Sequence, residues 1–326
     1  MNLFYKIITS CIVLIFFYSC GKDARDLQSS VNKAIKEKSY SQFRIKGVSK
    51  SYLKAYDKAL KLFDIPYEET DVKTSYGTAH VIISGPKNGE PVVLLHGMNA
   101  SSTMWYPNVK DLSSIYRVYA IDFLLEPGKS KTSKKIMSIE ELARWYDEVF
   151  DYFKLEKISL IGASRGGWLA TTIAINSPNR IKKLILLSPA QTLTAIKPQG
   201  KIFYNIFFSL FPKRAWLRSA LKTLTSNVDK LKQAYIDQYY IGVKHEKINR
   251  SILQMTPYSD DELRSLKMPV MVLIGDQDIM NDKSSLKRAN LLIPNVQTAI
   301  IKDAGHFLSF DQPELIDKKM MTFLKE

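Results

Sequence analysis

The sequence predicts a doubly wound, mostly parallel α/β sheet that carries a helical insertion. Three observations lead there. Short apolar runs recur along most of the chain without the polar alternation of a half-exposed strand, as expected where helices cover both faces of a parallel sheet. Amphipathic helical stretches separate several of these runs, and strand alternating with helix implies parallel crossovers. Between about 191 and 265 the strand rhythm stops, and helical, aromatic and basic residues take over.

The chain of 326 residues is 45% hydrophobic, enough to bury a substantial core. Its first twenty residues stand apart. MNLFYK carries one positive charge and no acid, and an apolar run follows from Ile7 to Tyr18. That run is short of the roughly 20 residues that span a bilayer, and it has the layout of a secretory leader. Both cysteines, Cys11 and Cys20, lie inside it, so the body has no disulfide and no cysteine metal site. FYSC followed by Gly21 resembles a bacterial lipobox, although Phe17 and Tyr18 depart from the usual residues. That resemblance implies lipidation at Cys20 and an extracytoplasmic, membrane-anchored chain, with an uncleaved anchor or a secreted form as alternatives. The net charge of +15 would add a second membrane-binding signal. The lysines are dispersed, and there is no zinc spacing, basic heptad region or RNP-like motif, so nucleic acid is not expected as a partner.

Residues 21–66 read as a polar tether followed by a helix whose stripe is Leu53, Tyr56, Leu60 and Phe63. The domain proper then runs over 67–326. Strands are predicted at AHVIIS (79–84), VVLLH (92–96), VYAID (118–122), ISLIG (158–162), LILLS (184–188), VMVLIG (270–275) and TAIIK (298–302). Helices are predicted over 138–153, 167–176, 284–292 and 313–324. KIFYNIFFSLFPKRAWLRSALKTL (201–224) belongs to the insertion, which covers about 191–265 as a cap. Its Phe203, Phe207, Phe208 and Phe211 either pack the cap onto the core or line an apolar pocket or touch lipid.

The chemistry concentrates at GASRG, residues 162–166, between a strand and a helix. A sharp turn that thrusts Ser164 outward leaves no room for side chains at Gly162 and Gly166. The following helix start favours negative charge at the same spot. His96 and Gly97 end an earlier strand, from which the backbone N–H of Met98, with that of Arg165, can form a two-donor oxyanion hole. Asp276 and Asp278 close a later strand, and His306 follows the last one, giving the chain order Ser, Asp, His. His80 reads as a structural strand residue, His245 as a solvated cap residue, and His96 as a buried residue shaping the oxyanion loop.

HG, G-x-S-x-G, GDQD and AGH in this order resemble the α/β-hydrolase superfamily, in particular its capped, esterase-like members, over about 67–324. The resemblance implies an eight-stranded sheet, Ser164 as nucleophile, His306 as general base and Asp278 rather than Asp276 as the orienting acid. It implies hydrolysis of a small or medium apolar carboxylic ester through an acyl-enzyme, with no metal and no organic cofactor. C–C hydrolase, lactonase, thioesterase and perhydrolase activities, or a silent ligand-binding role, remain compatible with the same residues. One loop departs from the family pattern D-x-x-G-x-G-x-S. IDFLLEPGKSKTS keeps Asp122, Gly128 and Ser130 but carries Lys129 at the second glycine.

Overall fold

A computed structural model of the chain describes residues 49–133, 138–197, 200–245 and 255–326. The leader with Cys11 and Cys20, the polar stretch up to 48 and the surroundings of the His245 side chain lie outside the described residues. The strands are β1 (Tyr67–Thr74), β2 (Gly77–Ser84), β3 (Pro91–Leu95), β4 (Arg117–Ile121), β5 (Lys131–Thr132), β6 (Ile158–Ala163), β7 (Ile181–Leu187), β8 (Val270–Gly275) and β9 (Val296–Ile301). They form one sheet in the order β1-β2-β4-β3-β6-β7-β8-β9. The expected eight strands make up this path. The two-residue β5 pairs with the start of β2 and brings the described total to nine. β2 runs antiparallel to β1 and β4, and every pairing from β4 to β9 is parallel.

The unalternating apolar runs behave as the period-two geometry of a strand requires. Val93 and Leu95 of β3 face one core cluster, while Val92 and Leu94 face the other. In β8, Val272 and Ile274 face the first and Met271 and Leu273 the second. The first cluster is roofed by α3 (Ile139–Tyr152), α4 (Arg165–Asn176) and α9 (Lys283–Leu292). The second is roofed by α1 (Lys50–Leu60), α2 (Val109–Ser113) and α11 (Pro313–Lys325). β1 and the two-residue β5 are the strands that the hydrophobic pattern misses. The YEETDVKT of β1 buries only Val72, because β1 is an edge strand whose charged residues face water.

Between β7 and β8 the described residues hold helices and no strand: α5 (Gly200–Leu210), α6 (Arg214–Leu221), α7 (Gln233–His245) and α8 (Asp260–Arg264). α1 packs on α7 and buries Tyr52, Tyr56, Ala59 and Leu60, while Leu53 is only half-buried. Phe63 is buried from a short 3-10 turn that ends α1. The buried stripe is therefore rotated towards Tyr52, which reaches the cap through Gln238. Among the described residues no helix is long and apolar enough to cross a membrane.

One buried acid makes the fold pH-sensitive. Asp317 of α11 accepts a 2.7 Å hydrogen bond from Asn108 Nδ2. Burial pushes its carboxyl up to about 7, with Asp111 and Glu314 adding to the rise and the Asn108 bond opposing it. The folded state thus holds a proton that the unfolded chain releases at ordinary carboxylate pH. The stabilising contribution is full below that range and is lost as pH rises through about 7. Asp317→Asn is expected to be near neutral at pH 4 and to stabilise by about 4 kcal/mol at pH 8, where it removes a buried charge. It can also donate to Asn108 Oδ1, which is buried without a partner. Paired thermal melts of variant and wild type at the two pH values read the difference; equal shifts at both would rule out titration of Asp317.

Candidate active site

β3 and β6 are adjacent and parallel, and the chain leaves them in opposite directions across the sheet, towards β4 and towards β7. The crevice at their carboxyl ends is the topological switch point where α/β sheets place ligands. Ser164 stands there, between β6 and α4, with φ 53° and ψ −117°. The glycines around it are a steric necessity. A Cβ on Gly162 would lie 2.2 Å from Gly166 O, and one on Gly166 would lie 2.0 Å from Leu95 O. The Ser164 backbone is held from both sides: its N–H donates to Leu187 O at 2.9 Å, and its carbonyl accepts from Gly167 N at 2.9 Å.

Two distant loops converge on this hydroxyl. His306, after β9, brings Nε2 to 2.8 Å from Ser164 Oγ and Nδ1 to 3.0 Å from Asp278 Oδ1. The Asp278 side chain is fully buried and that of His306 nearly so. Burial alone would raise the Asp278 carboxyl. The charge and hydrogen bond of His306, with donors from Met280 N and Asn281 Nδ2, outweigh burial and hold it below the ordinary carboxylate value. An ionised Asp278 accepts a hydrogen bond from Nδ1–H, so Nε2 is left as the acceptor facing the Ser164 hydroxyl. Asp276 is exposed, and its carboxylate accepts from Ala304 N at 3.2 Å. It takes no part in the chain of bonds that joins Ser164, His306 and Asp278.

The loop after β3 closes the other side. A Cβ on Gly97 would sit 3.3 Å from Ser164 Cβ and 3.9 Å from its Oγ, so the backbone passes close to the hydroxyl. His96 fixes that backbone. A carbonyl can only accept, so Nδ1 donates to Gly97 O at 2.9 Å, and Nε2 accepts from Phe123 N–H at 2.8 Å. Those two roles describe a neutral imidazole, and burial lowers its pKa in the same sense. With Gly97 C=O turned to His96, the trans peptide aims Met98 N–H the opposite way. His80 is used differently: its ring bridges Asp71 at 2.7 Å and Glu69 at 3.0 Å and takes no part in the bonds at Ser164.

The sequence profile of the alpha/beta hydrolase fold family matches residues 90–313. This chain belongs to that family. The α/β hydrolase is 34% identical over 278 residues to an uncharacterised carboxylesterase, nap, of Bacillus subtilis, covering 83% of this chain and 91% of the relative. It is 33% identical to the Bacillus subtilis carboxylesterase YbfK over 84% of this chain and 93% of that one. Among solved structures, naproxen esterase from Bacillus subtilis superimposes with a TM-score of 0.80 at 30% identity, covering 86% of this chain and all of the other. The chain is thus a hydrolase of the α/β fold whose relatives include carboxylesterases.

Several residues of this hydrolase's site have no short-range signature. Glu126 and the Arg165 guanidinium form an ion pair in which both side chains are almost fully buried. Glu126 also accepts from Asn99 N at 3.0 Å, so one carboxylate ties the loop after β3 to the start of α4. Met98 Sδ lies 3.5 Å from Arg165 Nη2. Gln238 of the cap accepts from Thr103 at 2.6 Å and donates to Ser101 at 2.8 Å and to the Tyr52 hydroxyl at 3.0 Å. Asp311 accepts from Gly305 N, Ser226 N and Thr225 Oγ1, joining the loop that carries His306 to the cap. Within the departing loop, Asp122 accepts from Ser102 N and Lys129 N at 2.8 and 2.7 Å. The Lys129 ammonium reaches Asp57 of α1 at 2.8 Å and Glu69 of β1, so the lysine pins this loop to the N-terminal elements. Among the described residues no group of three or more His, Cys, Asp or Glu is placed to hold a metal ion.

Proposed function

We propose that this hydrolase cleaves a carboxylic ester of a small or medium apolar substrate through an acyl-enzyme on Ser164. The observation that carries the reading is the unbroken line Ser164 Oγ, His306 Nε2, His306 Nδ1, Asp278 Oδ1. His306 takes the Ser164 proton as Oγ attacks the carbonyl carbon, and the carbonyl oxygen becomes the oxyanion. The backbone N–H groups of Met98 and Arg165 hold that oxyanion, each lowering the barrier by about 3 kcal/mol. His306 then protonates the leaving alcohol, the acyl-enzyme forms, and water deprotonated by His306 releases the acid. Asp278 keeps the imidazole in the required tautomer and stabilises the imidazolium. The carboxylesterase relatives support the ester class.

A fluorophosphonate probe tests the nucleophile, and p-nitrophenyl esters of increasing acyl length test the class. Labelling of wild type that disappears in Ser164→Ala, with turnover of short and medium esters, is the expected result. A folded wild-type protein that neither labels nor turns over any ester would overturn the reading. The leader reading is a separate proposal. Cys20 is taken to carry the lipid, and radiolabelled palmitate incorporation lost in Cys20→Ser checks it.

A further inference from the structure

The cap presents a face that the chemistry at Ser164 does not use. α5 turns Phe203, Ile206 and Phe207 outward at 42, 50 and 47% exposure, and Phe211, just past its end, is 38% exposed. Spacings of three and four residues put them on one stripe. Phe208, on the other side of the helix, is buried and does the packing. Half-buried Trp216 of α6 extends the stripe, with its ring 5.3 Å from that of Phe207, which in turn lies 5.2 Å from Phe211. Lys213 Nζ sits 4.5 Å over the Trp216 ring. Large aromatic side chains so exposed and so contiguous mark an interaction surface.

The charge around the stripe selects the partner. From Lys197 to Val228 the chain carries Lys197, Lys201, Lys213, Arg214, Arg218 and Lys222 and no Asp or Glu. Lys197, Arg214 and Arg218 are paired with Asp282, Asp237 and Asp229. Lys201, Lys213 and Lys222 are exposed and form no ion pair among the described residues. Aromatic residues on one side of a helix with lysines at their border are the composition of a helix lying in an anionic membrane interface. A second copy of this chain fits worse, because an isologous contact would set lysines against lysines. We propose that the outward face of α5, with Trp216 and Lys213, docks on an anionic phospholipid bilayer. The surface belongs to the insertion that borders the site: just past α6, Leu224 O accepts from Phe307 N, the residue after His306, at 2.8 Å. The docking depends neither on the ester chemistry nor on the leader.

Brominated acyl chains provide the test, because Trp105, Trp145 and Trp168 are buried and Trp216 is the half-exposed indole. Full-length protein is mixed with brominated phosphatidylcholine vesicles, with and without phosphatidylglycerol. Tryptophan fluorescence is expected to be quenched on the anionic vesicles and far less on the zwitterionic ones. Trp216→Phe should remove the quenching. Phe203→Ser with Phe207→Ser should abolish it. Lys201→Glu with Lys213→Glu should weaken vesicle binding by about fivefold or more per position. Circular dichroism and turnover of a soluble ester report that each variant is folded. Any binding through the leader is common to wild type and variants, so their difference reads the cap face. The proposal is overturned if folded wild type shows no quenching, or if the variants quench like wild type. A concentration-dependent dimer, abolished by Phe203→Ser with Phe207→Ser and unaccompanied by quenching, would assign the face to a second copy and overturn it as well.

Discussion

Ser164→Ala is expected to lower ester turnover by roughly a millionfold while leaving the fold intact. Alanine can adopt the φ of 53° at about the same cost as serine, and the substitution removes one hydrogen bond, to His306. Asp278→Asn should cost about 10⁴-fold in kcat, because an amide in place of the carboxylate no longer fixes the proton on Nδ1. Asp276→Asn should stay close to wild type, since that exposed side chain accepts only the Ala304 N–H. Single-turnover rates of the three variants, with circular dichroism as the control, decide the assignment. An inactive Asp276→Asn beside an active Asp278→Asn would transfer the acid role to Asp276.

Glu126→Ala is expected to destabilise the protein by about 3–5 kcal/mol, because it leaves the Arg165 guanidinium buried without a counter-charge. The Arg165 Nε already lacks a partner in its buried position, so little else is at hand to compensate. The Asn99 N–H loses its acceptor in the same variant, so the loop after β3 loosens and turnover should fall with stability. Arg165→Met combined with Glu126→Leu should recover most of the stability, since the charge and its partner are removed together. Because it carries no unpaired buried charge, the double variant should also keep more activity than Glu126→Ala, although the Asn99 N–H lacks its acceptor in both. Urea unfolding of wild type, Glu126→Leu, Arg165→Met and the double variant measures the coupling. Additive losses would mean that the pair contributes no mutual stabilisation.

Much of the sheet was legible because its chemistry is local. A strand covered on both faces, such as VVLL or VMVLIG, cannot afford polar residues on either side, so its composition announces it. GASRG was legible for a related reason: Gly162 and Gly166 occur where any Cβ would strike backbone about 2 Å away. β1 was not legible as a strand, since an edge strand needs only one inward side chain, here Val72, and its remaining residues show no apolar run. The orientation of α5 was also hidden. Its sequence is apolar almost all round, and only contact with the rest of the cap buried Phe208 and left Phe203 and Phe207 outside.

The sequence by itself determined the order of most strands and helices, the elbow at Ser164 and the supply of a histidine and two candidate acids, because these depend on spacing and local sterics. The family resemblance already favoured Asp278 over Asp276, and the fold brings Asp278 Oδ1 to 3.0 Å from His306 Nδ1. Tertiary structure alone decided that Glu126 faces Arg165. It also decided that Gln238 joins the cap to the loop after β3. Such pairings link residues tens to hundreds of positions apart. They exist only when the twisted sheet carries its loops to one edge, and no local pattern encodes that approach.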